Sequence, residues 1–219
     1  MSVSGYAPTA QIESHTWRVA TNAAACWTLN YSVAAMGALV AVVACLLVRL
    51  AMWFSGDFGP LFFRPERVGR DGRLFRPIKF RTLKHLDGGF VTSNDDNRTW
   101  LGRFLRPSHL DELPQFFNVL AGQMNVVGYR PMPETELPGG IELALSQYPH
   151  MFRQGPGITG YAQTRPEVER AVIETPSDHQ TMLRLARQFD EEFAATRTIL
   201  GLLKVMVVTI PVMMRRHGL

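Results

Sequence analysis

A long apolar segment near the N-terminus sets the first limit on how this chain folds. Residues 30–54 contain one charged side chain, Arg49. A helix needs about 20 apolar residues to cross the hydrocarbon core of a bilayer, and residues 32–54 are just long enough. Arg49 can extend towards the headgroups, while Trp53 and Phe54 suit the interface. We therefore predict a membrane helix, with the buried core helix of a globular protein as the alternative.

A basic region follows this segment directly. Residues 64–106 contain eleven Lys or Arg against five Asp or Glu. Charge alone is compatible with an ordinary solvated face, but the neighbouring apolar anchor favours a surface that meets lipid headgroups or phosphorylated substrates. Lys and Arg concentrate on the cytoplasmic side of membrane segments, so we expect this region to lie in the cytoplasm. The N-terminal flank, with Arg18 as its only Lys or Arg, barely constrains the topology.

Two features of the chain indicate its compartment. Cys26 and Cys45 are the only cysteines, and their spacing matches neither a metal site nor a disulfide framework. We interpret them as small packing residues in a reducing compartment. The N-terminus has no basic region before an apolar core and no small-residue cleavage site, so we expect no secretory signal.

The 219 residues divide into three predicted segments: a loosely ordered N-terminus (1–16), a membrane-associated helical segment (17–58) and a globular domain (59–219). Within the domain, residues 61–82 with the turn Asp71-Gly72 predict a β-hairpin. Apolar periodicity and capping signals predict further helices. These begin after Thr99, run from Leu113 to Gly122, and cover 141–152, 180–196 and 199–214. The predicted fold class is α+β and mainly helical.

Two adjacent carboxylates, Asp111 and Glu112, stand between apolar residues. Ser108 lies three residues before Asp111, which fits an N-cap followed by an acid at the third helical position. A helix N-terminus can hold carboxylates and phosphates together. The alternative interpretation is a capping acid with a solvated neighbour.

Neighbouring carboxylates can divide the work of phosphoryl chemistry. One can attack phosphorus and form a covalent acyl-phosphate, which splits a difficult displacement into two steps. The other can associate with a divalent cation. Magnesium suits this arrangement because it usually takes one or two protein carboxylates and completes its shell with water and substrate phosphates.

The carboxylate pair is one of several short motifs that occur in a fixed order. Together they resemble the bacterial sugar transferase family, the monotopic polyprenyl-phosphate phosphoglycosyl transferases, most closely over residues 59–163. The motifs are Gly59-Pro60-Leu61-Phe62-Phe63, Arg67-Val68-Gly69, Lys79-Phe80-Arg81-Thr82, Gly102-Arg103-Phe104-Leu105-Arg106, Leu110-Asp111-Glu112-Leu113-Pro114-Gln115, Asn118-Val119-Leu120-Ala121-Gly122-Gln123-Met124, Val127-Gly128-Tyr129-Arg130-Pro131 and Pro156-Gly157-Ile158-Thr159-Gly160-Tyr161-Ala162-Gln163.

The resemblance implies a reaction and roles for the two carboxylates. A UDP-sugar and polyprenyl (undecaprenyl) phosphate would give polyprenyl diphosphate-sugar and UMP, which initiates exopolysaccharide, capsule or O-antigen synthesis. Asp111 matches the family nucleophile, which carries the phosphosugar. Glu112 matches the carboxylate that associates with Mg²⁺.

The resemblance also implies substrate-binding residues. Arg106 and Arg130 match basic residues expected near anionic substrate groups, and Lys79 with Arg81 matches a basic stretch of the family. Arg106 and Arg130 could instead be structural partners of acids, and Lys79 and Arg81 could be outward charges on one face of a strand. Gln163 ends a loop that could touch the nucleotide or merely form a tight glycine turn.

Location and topology follow from the same resemblance. It implies a bacterial inner membrane protein whose catalytic domain faces the cytoplasm, with amphipathic helices at the membrane surface. The expected partners are the two substrates and membrane lipids, with no nucleic acid and with a homodimer left open. The family anchor is a re-entrant helix, usually broken by a Ser-Pro pair. Here no proline occurs between Pro8 and Pro60, so a bend at Gly37 or a single crossing stays open.

Four positions depart from the family pattern: Tyr129, Gln123, Asn125 and Pro65. They bear on the donor site and the sugar but leave the carboxylate pair intact. Two alternatives to the transferase remain: a catalytically silent membrane scaffold for glycan assembly and a membrane-bound, metal-dependent phosphohydrolase.

Overall fold

The computed structural model describes residues 9–84, 97–168 and 179–215. These ranges form a mainly helical α+β structure with three small two-stranded sheets, as the sequence predicted. The helices are α1 (Thr9–Phe54), α2 (Trp100–Leu105), α3 (Gln115–Leu120), α4 (Gly140–Gln147), α5 (Pro149–Gln154), α6 (His179–Ala195) and α7 (Ile199–Arg215). The strands are β1 (Phe62–Phe63), β2 (Arg67–Val68), β3 (Leu74–Phe75), β4 (Lys79–Phe80), β5 (Asn125–Val127) and β6 (Gly157–Thr159).

Helix α1 runs without interruption from Thr9 to Phe54. It therefore starts within the segment 1–16, of which residues 1–8 lie outside the described residues. The Ser55 hydroxyl bonds to the last carbonyls of the helix, and Gly56 adopts a positive φ of 72°, which glycine allows without steric cost. Residues Ala23–Phe54 are long and apolar enough to cross a bilayer. The predicted long apolar helix is confirmed.

The helix continues through Gly37 without a break. A Cβ at Gly37 would lie 2.5 Å from the ring of Phe116 on α3, so the glycine makes room for close packing. This packing against Phe116 accounts for a glycine at position 37, and the re-entrant topology stays a prediction.

The predicted hairpin is confirmed and is nested. Strands β1 and β4 pair antiparallel, and β2 pairs with β3 inside them. The turn places Asp71 at φ 52° and Gly72 at φ 76°. Two successive positive φ values are what a tight hairpin turn requires, and Asp-Gly supplies them at low cost.

The remaining helices follow the sequence with one difference. The Thr99 hydroxyl accepts a hydrogen bond from Gly102 N and caps α2, as predicted, and α6 and α7 match the two C-terminal predictions. The single helix predicted over residues 141–152 is instead two helices, α4 and α5. They separate at Tyr148 because the residue before a proline, here Pro149, is disfavoured in the helical conformation.

The core consists of three clusters that position the site. One joins the N-terminal half of α1 to α3, β5, α6 and α7, and another joins its C-terminal end to β4 and α2. The third lies under α4 and α5.

Strands β5 and β6 pair in parallel at very close approach: a Cβ at Gly157 would collide with the backbone of Gly128. Helix α3 and strand β4, which flank the carboxylate pair, are thus both held against α1.

Candidate active site

The two carboxylates lie on a short 3₁₀ turn, Leu110–Glu112, between α2 and α3. The turn is preceded by His109 at φ 54°, and α3 begins only at Gln115, after Pro114. The predicted N-cap at Ser108 is wrong, because its hydroxyl donates to Phe104 O at 2.8 Å and Leu105 O at 3.1 Å. That hydroxyl closes the end of α2 and does not open a helix.

Glu112 is paired with Lys79. Lys79 Nζ donates to Glu112 Oε1 at 2.6 Å, and these side chains are 23% and 16% exposed. Burial by itself would raise the pKa of Glu112, but the charges of Lys79 and Arg130 and the bond from Lys79 hold that pKa below its usual value. Glu112 is therefore ionised at neutral pH.

Among the residues that the structure describes, Asp111 has no such close cationic partner. Its residue is only 9% exposed, and this burial, with the charge of Glu112, raises the pKa of Asp111 from 3.8 to about 6 in spite of Lys79 and Arg106. A desolvated carboxylate is costly to keep ionised. A proton, a cation or a covalent bond to phosphorus would each relieve that cost.

The charges of two guanidinium groups act on the carboxylate pair, although neither group forms an ion pair with it among the described residues. Arg106 lowers the pKa of Asp111 and Arg130 lowers that of Glu112. Within the described ranges, neither side chain is engaged in an ion pair or side-chain hydrogen bond. The alternative that Arg106 and Arg130 form structural ion pairs with acids is therefore not supported by the described residues. Both groups are therefore available to an anionic ligand, which suits the fork geometry of arginine.

Arg81 has a different environment from Lys79. Its Nη2 donates to both carboxylate oxygens of Asp57 at 2.6 Å, and its other nitrogens donate to Pro60 O and Leu83 O. Burial would raise the pKa of Asp57, but Arg81 outweighs it and the pKa lies below its usual value. Arg81 thus stabilises the loop between α1 and β1 through Asp57 and Pro60. A substrate-binding role for Arg81 stays a prediction.

Gln163 is also engaged locally. Its side-chain Oε1 accepts a hydrogen bond from Gly160 N at 3.0 Å, which stabilises the loop after β6. The same loop is held by Asp190 of α6, whose Oδ1 accepts from Ala162 N at 3.0 Å. Burial raises the pKa of Asp190 to about 7. The structure places neither side chain in contact with the carboxylate pair, so nucleotide binding by Gln163 stays a prediction.

Asn118 is a positioning residue that the sequence analysis missed. Its Oδ1 accepts from Ile78 N at 2.8 Å, and its Nδ2 donates to Arg76 O at 3.2 Å and to Gln123 Oε1 at 2.7 Å. These bonds attach α3 to the residue just before Lys79. Asn118 begins one of the family motifs in the sequence, but the motif alone assigned it no role, and in the structure it is buried on α3 together with Gln115 and Val119.

Three of the departures from the family pattern have a structural explanation. Gln123 serves as the acceptor for Asn118. Tyr129 is buried against Phe152 and donates to Val68 O at 3.2 Å. Asn125 donates to Gln154 O at 2.7 Å. These side chains take part in internal packing and hydrogen bonding.

The carboxylate pair fits a magnesium ion of the kind that phosphate substrates carry. The described residues contain no group of three or more His, Cys, Asp or Glu that could form a complete protein site. Lys79 occupies Oε1 of Glu112, which leaves Oε2 and the Asp111 carboxylate for a cation. One or two carboxylates with substrate phosphates are the usual magnesium ligands, and a nearby cation would offset the burial of Asp111.

Comparison with known sequences identifies the relatives of this chain. The sequence model of the family described as bacterial sugar transferase matches residues 21–216. A UDP-glucose:undecaprenyl-phosphate glucose-1-phosphate transferase of Xanthomonas campestris pv. campestris is 46% identical over 110 residues, which are 48% of this chain and 22% of that protein. The enzyme of the same name from Escherichia coli K12 is 40% identical over 129 residues, 57% of this chain and 27% of that protein.

A shorter relative aligns over most of its length. The exopolysaccharide production protein ExoY of Sinorhizobium fredii is 31% identical over 202 residues, which are 83% of this chain and 82% of that protein. The chain spans only about a quarter of the length of the two longer relatives.

Proposed function

Because the chain belongs to the bacterial sugar transferase family, we propose that it transfers a sugar-1-phosphate from a UDP-sugar to undecaprenyl phosphate. One observation carries the proposal: the buried Asp111 lies beside an ionised Glu112–Lys79 pair and near two guanidinium groups open to a ligand. The names of the relatives supply the substrate classes, and they include both glucose and galactose transferases.

In the first step, an Asp111 carboxylate oxygen attacks the phosphorus that bears the sugar. A P–O bond to Asp111 forms while the bond between the two phosphates of UDP-sugar breaks, and UMP leaves with the electron pair. The product is an acyl-phosphate, which is the usual outcome of carboxylate nucleophilic catalysis at phosphorus. Formation of this bond removes the charge that burial makes costly on Asp111.

In the second step, a phosphate oxygen of undecaprenyl phosphate attacks the same phosphorus. The bond to Asp111 breaks and the carboxylate is restored, leaving undecaprenyl diphosphate-sugar. The carboxylate can leave because its negative charge is shared by two oxygens, although the burial that raises the pKa of Asp111 makes it a poorer leaving group than an exposed carboxylate.

The surrounding cations bind and orient these anions. Arg106 and Arg130 would hold phosphate oxygens of donor and acceptor, while Lys79 keeps Glu112 ionised and in place. Glu112 and Asp111 would hold Mg²⁺, which neutralises pyrophosphate oxygens that otherwise repel an anionic nucleophile.

The acceptor is a membrane lipid and nucleotide-sugars are made in the cytoplasm, so we place the protein at the cytoplasmic face of the bacterial inner membrane. The long apolar helix and the basic region that follows it support this location.

The test measures UMP released by the purified full-length protein. A panel begins with UDP-glucose and UDP-galactose, each with and without undecaprenyl phosphate, in the presence of Mg²⁺. We expect multiple turnover only with the lipid acceptor, and one phosphosugar added to a peptide containing Asp111 when the acceptor is omitted.

Other results would identify the alternatives. Steady UMP release without acceptor would indicate a phosphohydrolase, and no release with any donor would indicate a scaffold. Turnover without a covalent adduct under rapid quench would contradict the role of Asp111 and favour direct transfer.

A further inference from the structure

A cavity of about 770 Å³ lies between helix α6, helix α4 and the loop that precedes α4. Pockets of this size hold small organic ligands. None of the described residues that line it belongs to the carboxylate pair or to the cations around that pair. The cavity is therefore a second candidate site, and its two walls differ in chemistry.

The wall on the side of α4 is apolar. It consists of Leu137, Pro138, Leu143 and Ala144. Leu137 and Ala144 are each 5% exposed and belong to the core cluster under α4 and α5, which holds them in place. This wall is thus formed before a ligand arrives, and it can cover the apolar part of a bound molecule.

The wall on the side of α6 carries an arginine whose charge is buried. Arg187 is 4% exposed, and its Nη2 donates to Glu136 O at 2.6 Å. Its Nε is buried and has no hydrogen-bond partner among the described residues. No carboxylate of those residues lies within ion-pair distance of it. Burial lowers the pKa of Arg187, which shows that its positive charge is costly at this place.

The other charged groups of the cavity do not offset the charge of Arg187. Glu191 accepts from two backbone N–H groups at the start of α5 and lies 2.7 Å from His150 Nδ1, so its carboxylate is already engaged. Glu192 is exposed, where water and salt screen its charge. Arg184 is exposed too, and its charge acts against that of Arg187.

We propose that this cavity binds a small organic anion, with a carboxylate or phosphate group at Arg187 and an apolar body against the wall of α4. The anion would supply the opposite charge that Arg187 lacks. A guanidinium away from water binds such a group through short, charge-assisted hydrogen bonds. The amides of Gln147 and Gln188 and the hydroxyl of Tyr148 also line the cavity and offer partners to further polar groups. This site does not depend on the proposed transfer reaction.

Fluorine NMR of small probes tests the proposal on the full chain in lipid nanodiscs. The probes are para-fluorobenzoate and para-fluorophenyl phosphate, which join an aromatic body to each kind of anion. The neutral para-fluorobenzyl alcohol has the same body without the charge. Broadening of the fluorine signal, titrated with protein, gives the dissociation constant of each probe.

We expect at least one anionic probe to bind more tightly than the alcohol, by about tenfold or more. The tighter of the two identifies the anion as carboxylate or phosphate. Equal binding of the alcohol would overturn the proposal, because the cavity would then recognise apolar surface alone. Absence of binding by both anions at millimolar concentration would overturn it as well.

Two variants locate the bound probe. Arg187→Gln should weaken the anionic probes by about tenfold or more and leave the alcohol unchanged. Leu143→Trp fills the cavity from a position that is 44% exposed and should abolish binding of every probe, which keeps the test decisive if Arg187→Gln does not fold. Arg153→Gln is the matched control, because it removes an exposed arginine of α5 that does not line the cavity. Unchanged binding in a folded Arg187→Gln or Leu143→Trp variant would overturn the proposal.

A competition separates this cavity from the carboxylate pair. UMP with Mg²⁺ should not displace the anionic probe, and Arg106→Gln should not weaken it. Displacement by UMP, or a loss of binding in Arg106→Gln but not in Arg187→Gln, would place the probe at the carboxylate pair and overturn the proposal. UMP release from UDP-sugars, measured on the same preparations, tests the proposed function separately.

Discussion

Lys79 Nζ lies 2.6 Å from Glu112 Oε1, and this contact joins strand β4 to the 3₁₀ turn that carries Asp111. This contact helps to shift the pKa values of the two adjacent acids in opposite directions. Glu112 has a direct cationic partner and a lowered pKa, whereas burial dominates at Asp111 and raises its pKa. Acids with opposite shifts side by side are typical of sites where the two groups have different tasks.

We expect Asp111→Asn to abolish turnover and to stabilise the folded protein. Burial raises the pKa of Asp111 from 3.8 to about 6. Such an acid destabilises the fold as pH rises through that interval and has no effect below it. Removal of the charge should add up to about 3 kcal/mol to the free energy of unfolding near pH 7 and almost nothing below about pH 4. Urea unfolding in EDTA at several pH values measures this difference.

Asp57→Asn is the matched control for that experiment. Burial acts on Asp57 too, but Arg81 outweighs it and lowers the pKa. Asp57→Asn should therefore lower the free energy of unfolding at neutral pH. This loss should become smaller as the pH falls through the pKa that Asp57 has in the folded protein. A common sign for both variants would contradict the assigned environments.

We expect Lys79→Met to destabilise the protein by about 1–3 kcal/mol, because it leaves the largely buried Glu112 without its partner. Activity should fall with it, and Lys79→Arg should restore part of both. The double variant Lys79→Met/Glu112→Gln should recover stability without activity. Arg76→Met removes an exposed pair with Glu66, whose side chains are 68% and 54% exposed, and should cost less than about 0.5 kcal/mol. An equal loss in both single variants would show that the Lys79 pair is not special.

We expect Asn118→Ala to reduce kcat, because two of its hydrogen bonds hold the backbone just before Lys79. The loss of stability should be about 1–3 kcal/mol, since buried backbone groups lose their partner. Gln123→Ala is the control, because it removes only the side-chain partner of Asn118. In a Lys79→Met background the effect of Asn118→Ala on kcat should largely disappear. Full additivity of the two variants would show that Asn118 does not act through Lys79.

We expect Gly37→Ala to destabilise the protein by about 1–3 kcal/mol through overpacking against Phe116. The intrinsic helix propensity of alanine acts in the opposite direction, so a loss would isolate the steric effect. Phe116→Leu in the same chain should recover most of the stability. A more stable single variant would mean that α1 and α3 are less closely packed than described.

Local order along the chain was largely predictable. Thr99 capped α2, Asp71-Gly72 formed the hairpin turn, and the apolar segment became one long helix. Each depends on residues within a few positions of one another, where periodicity and turn chemistry act directly. The cap predicted at Ser108 was wrong because the hydroxyl had two possible sets of local partners. It donates to carbonyls at the end of α2 and does not accept from the turn that follows.

The sequence by itself determined the family, the mainly helical class and the candidate residues. Motif order and apolar periodicity depend only on the order of residues along the chain. Only the tertiary structure decided which basic residue meets which acid. Lys79 and Arg81 stand two positions apart, yet one pairs with Glu112 and the other with Asp57. The role of Gly37 was decided in the same way, by Phe116 79 residues later. Such outcomes depend on which distant side chains packing brings into contact, and no local pattern encodes that choice.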